Sequence, residues 1–95
     1  MAQLKLPPRI PTDAASAWLL RALDGSPHTW RARPLSGVEI SFPSGTLVRV
    51  SRGRLGPPTA SVLDRSGFVT DAWPMASREQ ARHVARELRA REGAV

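Results

Sequence analysis

The groups in this 95-residue chain best placed to do chemistry are two histidines, eight carboxylates and fourteen basic side chains. His28 follows Pro27 in a stretch that reads as a loop, where an idle, exposed imidazole is the expectation. His83 stands four residues from both Glu79 and Glu87, the spacing of a surface charge pair on a helix. Neither His-x-x-x-His nor Glu-x-x-His occurs, so three or four convergent metal ligands are not expected and no metal or other cofactor is implied. Cysteine is absent, which excludes disulfides, thiolate zinc sites and cysteine nucleophiles. The sequence contains neither Gly-x-Ser-x-Gly nor a glycine-rich phosphate loop followed by lysine. Glu39, Asp64 and Asp71 can approach one another only if strands bring them together, and carboxylates at turns and strand exteriors usually serve turn geometry and solubility. The chain is therefore expected not to be an enzyme.

The basic residues form the one constellation with geometry. At about 100° per residue, Arg78, Arg82, Arg86 and Arg89 fall within an arc of roughly 80°, beside an apolar stripe rather than opposite it. Four guanidinium groups along one helix edge can track phosphates, because each planar fork matches two phosphate oxygens. Glu79 with Arg82, and Glu87 with Arg91, have the spacing to neutralise part of this charge locally, and a solvated surface helix is the plain alternative. A second cluster, Arg49, Arg52 and Arg54, runs from a strand into a loop, and Arg31 and Arg33 share one face of another strand.

The bulk charge says less than these positions do. A formal charge of +6 and a pI near 11.7 favour an anionic partner. Yet thirteen of the fourteen basic residues are arginine, with Lys5 the lone lysine, a bias that a GC-rich genome produces through its codons alone. The 41% hydrophobic and 23% charged fractions are those of a globular protein. Apolar runs are as short as Ala17–Leu20, far below the roughly 20 residues of a membrane span, and the N-terminus lacks a signal-peptide core. A cytoplasmic protein without a membrane partner is expected.

The elements that must hold these groups can be read from hydrophobic period. Residues 1–11 carry three prolines and no period, and read as an extended arm preceding one domain over 12–92. Ala15, Trp18, Leu19, Ala22 and Leu23 recur at helical spacing behind Thr12 or Asp13 as cap, and Asp24-Gly25 ends that helix. Trp30 and Ala32, then Val38, Ile40 and Phe42, then Val48 and Val50 alternate as strands, with Phe42-Pro43-Ser44-Gly45 as a type I turn. The segment Arg52–Pro58 reads as a loop, followed by a hairpin of Ala60–Leu63 and Phe68–Trp73 around Asp64–Gly67. Ser77 and Gln80 form a capping box for a helix over Arg78–Arg91 with Ala81, Val84, Ala85 and Leu88 on its apolar stripe. The spacing predicts an α+β fold of two layers: an N-terminal helix, an antiparallel sheet of about four strands in hairpins, and a C-terminal amphipathic helix packed on the sheet. Trp18 and Phe42 belong to the core, whereas Trp30 and Trp73, at strand ends, either cap the core or anchor a protein partner.

The order helix, strands, helix, with Ser77-Arg78-Glu79-Gln80-Ala81-Arg82 opening the last helix, resembles the layout of a double-stranded RNA-binding domain. That likeness spans about the last half of the chain. It implies that Arg78 and Arg82 stand where that family's basic cluster meets phosphates across a groove. The family's Gly-Pro-x-His loop has no counterpart, since no histidine follows Gly56-Pro57-Pro58. Two expectations result. The first is a non-enzymatic module that contacts nucleic-acid backbone through Arg78, Arg82, Arg86, Arg89, Arg49, Arg52 and Arg54. The second is a protein-interaction factor, such as a phage or mobile-element product that binds and inhibits or redirects a host protein with an acidic surface, with Trp30 or Trp73 as its anchor. An open sheet edge would also allow a homodimer.

Overall fold

A computed structural model describes residues 13–33, 37–51 and 56–93; the arm expected over 1–11 lies outside them. Helix α1 (Ala14–Ala22) is followed by strands β1 (Thr29–Ala32), β2 (Val38–Ser41), β3 (Leu47–Ser51), β4 (Thr59–Leu63) and β5 (Val69–Pro74), then helix α2 (Arg78–Arg91). The strands form one antiparallel meander in the order β1-β2-β3-β4-β5, and each corresponds to one of the segments that alternation marks as a strand. Each helix starts where the sequence places its cap. Asp13 accepts hydrogen bonds from the Ser16 amide and hydroxyl, and Ser77 Oγ accepts from the Gln80 amide. The return half of the capping box differs from expectation. Gln80 Oε1 accepts from the Ala76 amide, at 2.6 Å, and so ties down the chain one residue earlier.

Strand pairing follows the period-2 pattern. Trp30 pairs with Ile40, Ile40 with Val48 and Val48 with Val62, while Ala32, Val38, Val50, Ala60 and Trp73 form the neighbouring row. Both rows point toward the helices. Val38, Ile40, Val48, Val50 and Ala60 are completely buried there against Leu19 and Leu23 of α1 and Ala81, Val84 and Leu88 of α2. The opposite face carries Arg31, Glu39, Ser41, Leu47, Arg49, Ser61 and Leu63, and among the described residues no helix covers it.

An odd number of antiparallel strands sets the helix directions. The chain leaves α1 at one end of the sheet and, after five traverses, enters α2 at the other, so the two helices run the same way. Contacts at both ends agree. Arg89, near the end of α2, reaches Ala22, Asp24 and Ser26 beyond the end of α1, while Asp13, Ala14 and Trp18 share a cleft with Met75 and Ala76 just before α2. The two helices pack extensively on one another, and α2 also touches β5.

One glycine is indispensable to this arrangement. Gly37, before β2, has φ +81°, and a Cβ there would lie 1.8 Å from the Val50 carbonyl oxygen. Its amide donates to Asp13 Oδ1, joining the cap of α1 to the sheet.

Candidate nucleic-acid interface

The α2 helix buries Ala81, Val84, Ala85 and Leu88 and turns its other side to solvent. Arg78, Arg82 and Arg86 lie on that side and are exposed. At 1.5 Å per residue they span about 12 Å in steps of about 6 Å. Among the described residues, the ion pairs are Arg31–Glu39, Arg49–Glu39 and Arg91–Asp71, so none of these three arginines is in one. The expected local pairs Glu79–Arg82 and Glu87–Arg91 are not formed. Arg91 turns to the sheet instead, where β5 offers both the Asp71 carboxylate and the Trp73 ring, whose centroid is 5.4 Å from the guanidinium carbon.

Arg89 occupies the same helical edge as the three exposed arginines but has a different partner. Its Nε donates to Ser26 Oγ at 2.7 Å, and its Nη2 donates to the carbonyls of Ala22, at 2.6 Å, and Asp24. These carbonyls belong to the last turn of α1 and the turn after it, where helical carbonyls lack partners and the helix dipole favours a cation. Arg89 is a clamp between the helices, and the exposed stripe consists of three arginines.

Arg49 lies on the far side of the domain. Arg31, Glu39 and Arg49 stand side by side across β1, β2 and β3 on the sheet face remote from the helices. Both guanidinium groups donate to the one carboxylate, at 2.8 and 3.0 Å. The hydrogen bond from Arg31 is the main influence that holds the Glu39 carboxyl below its ordinary value; partial burial opposes it, and Arg49 reinforces it. The structure thus separates Arg49 from the α2 stripe. Arg52 and Arg54 lie outside the described residues.

Asp64, Asp71 and His28 have separate partners. Asp64 accepts from the Ser66 and Phe68 amides in the β4–β5 turn, and Asp71 pairs with Arg91, so Glu39, Asp64 and Asp71 serve three separate purposes. His28 Nδ1 donates a hydrogen bond to the Ser26 carbonyl, at 2.7 Å, and the ring tilts against Phe42, so this imidazole is half-buried and engaged rather than idle. Trp30 and Trp73 lie half-buried at the two edges of the sheet and pack on the core, as does Trp18, which is less buried than its core assignment implied.

Sequence reasoning missed the two large apolar side chains that stay in water, Phe68 and Val69, 71% and 59% exposed at the β4–β5 turn. Alternation places both in a strand; Val69 does open β5, whereas Phe68 belongs to the turn before it. A β-bulge between Val62 and Leu63, opposite Val69 and Asp71, breaks the alternation there. No helix in the described residues is long and apolar enough to cross a membrane. Compared with protein-family models, curated proteins and solved structures, the chain matches none.

Proposed function

We propose that this domain is a non-enzymatic binding module that contacts nucleic-acid backbone through Arg78, Arg82 and Arg86. One observation carries the reading. Arg31, Arg49, Arg89 and Arg91 each have protein partners; Arg21, Arg33, Arg65, Arg78, Arg82 and Arg86 are outside the ion pairs of the described residues, and of these only Arg78, Arg82 and Arg86 share one element, exposed at i, i+4 and i+8 along one edge of α2. Like charges at i and i+4 repel, costing a few tenths of a kcal/mol per pair, and a polyanion offsets that cost.

The test is nucleic-acid binding at low and moderate salt. Wild type should bind duplex or single-stranded probes at low salt and lose affinity steeply as salt rises. Arg82→Glu/Arg86→Glu should abolish binding with the fold intact by circular dichroism. No binding at low salt, or binding unchanged in the double variant, refutes the proposal. The alternative of a factor that docks on a host protein through Trp30 or Trp73 has less support, because both rings pack on the core and Arg91 covers Trp73.

A further inference from the structure

The end of the domain that holds the β2–β3 and β4–β5 turns carries both an exposed aromatic knob and an apolar hole. The hole is a cleft of about 280 Å³ between Pro27, the β2–β3 turn and the end of α2, floored by Phe42 and flanked by Pro43, Ser44, Arg89 and Glu92. A cavity of about 150 Å³ lined by apolar side chains accepts benzene, so a phenyl ring fits this one. The knob is Phe68, followed by Val69. The two turns are neighbours: a Cβ on Gly45 would lie 3.4 Å from Arg65 Nε, and Ser44 borders both the cleft and the adjoining depression that contains Leu63 and Arg65.

We infer that two copies of this chain associate about a two-fold axis, each inserting Phe68 into the cleft of the other. Knob and hole sit at the same end of the molecule, so the exchange is reciprocal and closes at two copies instead of extending into a filament. Charge complements the fit. Arg65 lies in the same turn as the knob and Glu92 borders the hole, where one of its carboxylate oxygens accepts from Ser44 Oγ and the other is open to a cation; neither residue is in an ion pair among the described residues. Across the axis, Arg65 of each copy meets Glu92 of the other. Two phenylalanines and two valines bury much less than the roughly 1,200 Å² of a stable interface, so association is weak and depends on concentration. Each copy carries +6, so added salt strengthens the pair by screening the overall repulsion. This is opposite to its effect on nucleic-acid binding.

Sedimentation equilibrium from about 10 µM to about 1 mM, a span suited to a small interface, tests the proposal. The average mass of the wild type should rise from 10.3 kDa toward twice that value. Phe68→Ser should weaken association by about thirtyfold or more. Ser44→Trp, which fills the cleft from its rim, should do the same, whereas Ser44→Ala, which removes only the hydroxyl that donates to Glu92, should leave association within a few-fold of wild type. Both sites are exposed, and circular dichroism checks that each variant is folded. Mixing Phe68→Ser with Ser44→Trp should restore weak pairing, because Phe68 of the cleft-filled copy still meets an open cleft on the other. A wild type that stays monomeric at about 1 mM overturns the proposal. So does association that survives Phe68→Ser or Ser44→Trp. In a wild type that stays monomeric, movement of cleft resonances on adding N-acetyl-phenylalaninamide would assign the cleft to another partner. Arg82→Glu/Arg86→Glu should leave the pairing intact, so the failure of either proposal can be told from failure of the other.

Discussion

Arg89 Nη2 donates to the Ala22 carbonyl at 2.6 Å, so the last turns of two helices 67 residues apart in sequence are joined by one guanidinium group. Ser26 Oγ and the Asp24 carbonyl complete the clamp. The stripe on α2 is thereby divided: Arg89 holds the helices together, and Arg78, Arg82 and Arg86 face solvent.

Arg89→Ala should destabilise the domain by about 1–3 kcal/mol, because it leaves the partly buried Ala22 carbonyl and Ser26 hydroxyl without their donor. Arg82→Ala should change stability by less than about 0.5 kcal/mol, as is usual for exposed positions. Urea denaturation of the two variants checks the contrast, and equal effects would contradict the division.

In nucleic-acid binding the ranking should be reversed. Each of Arg78→Ala, Arg82→Ala and Arg86→Ala should lower the slope of log affinity against log salt by about one, whereas Arg49→Ala, on the opposite face of the domain, should leave it unchanged. Titrations at four or more salt concentrations measure these slopes.

Glu39 should make stability depend on pH in the acid range. Its folded-state pKa lies below the ordinary value of 4.5, so its contribution is fully present above that value and is lost as pH falls through the lower folded value. Glu39→Gln should be less stable than wild type at pH 7, and the gap should close on acidification. A gap that persists or widens below pH 4.5 would show that the carboxylate between Arg31 and Arg49 does not stabilise the fold.

Gly37→Ala should be the most damaging single-methyl addition. It forces alanine to φ +81° and sets its Cβ against the Val50 carbonyl, a contact that only backbone movement relieves. A loss of about 2–4 kcal/mol is expected from strain and overpacking together. Thermal unfolding should show it as a large drop in Tm, whereas Leu19→Ala, a cavity in the fully buried core, should cost about 2–5 kcal/mol without any backbone clash.

The elements and their buried faces are written in the chain. The helix over Arg78–Arg91, its Ser77 cap, the Asp13 cap and the inward rows Val38–Ile40 and Val48–Val50 were legible because caps and periodicity are local properties of the chain. Partners distant in sequence were not. An exposed edge of four arginines looks the same on a helical wheel whether or not a neighbouring helix presents carbonyls to one of them, so Arg89 could not be told from Arg86. Likewise, Arg49 read as part of a basic cluster until the register of β2 placed Glu39 between it and Arg31. Which charges are already satisfied emerges from packing alone, because an arginine's role depends on what lies within about 3 Å of its nitrogens and no local pattern records that distance.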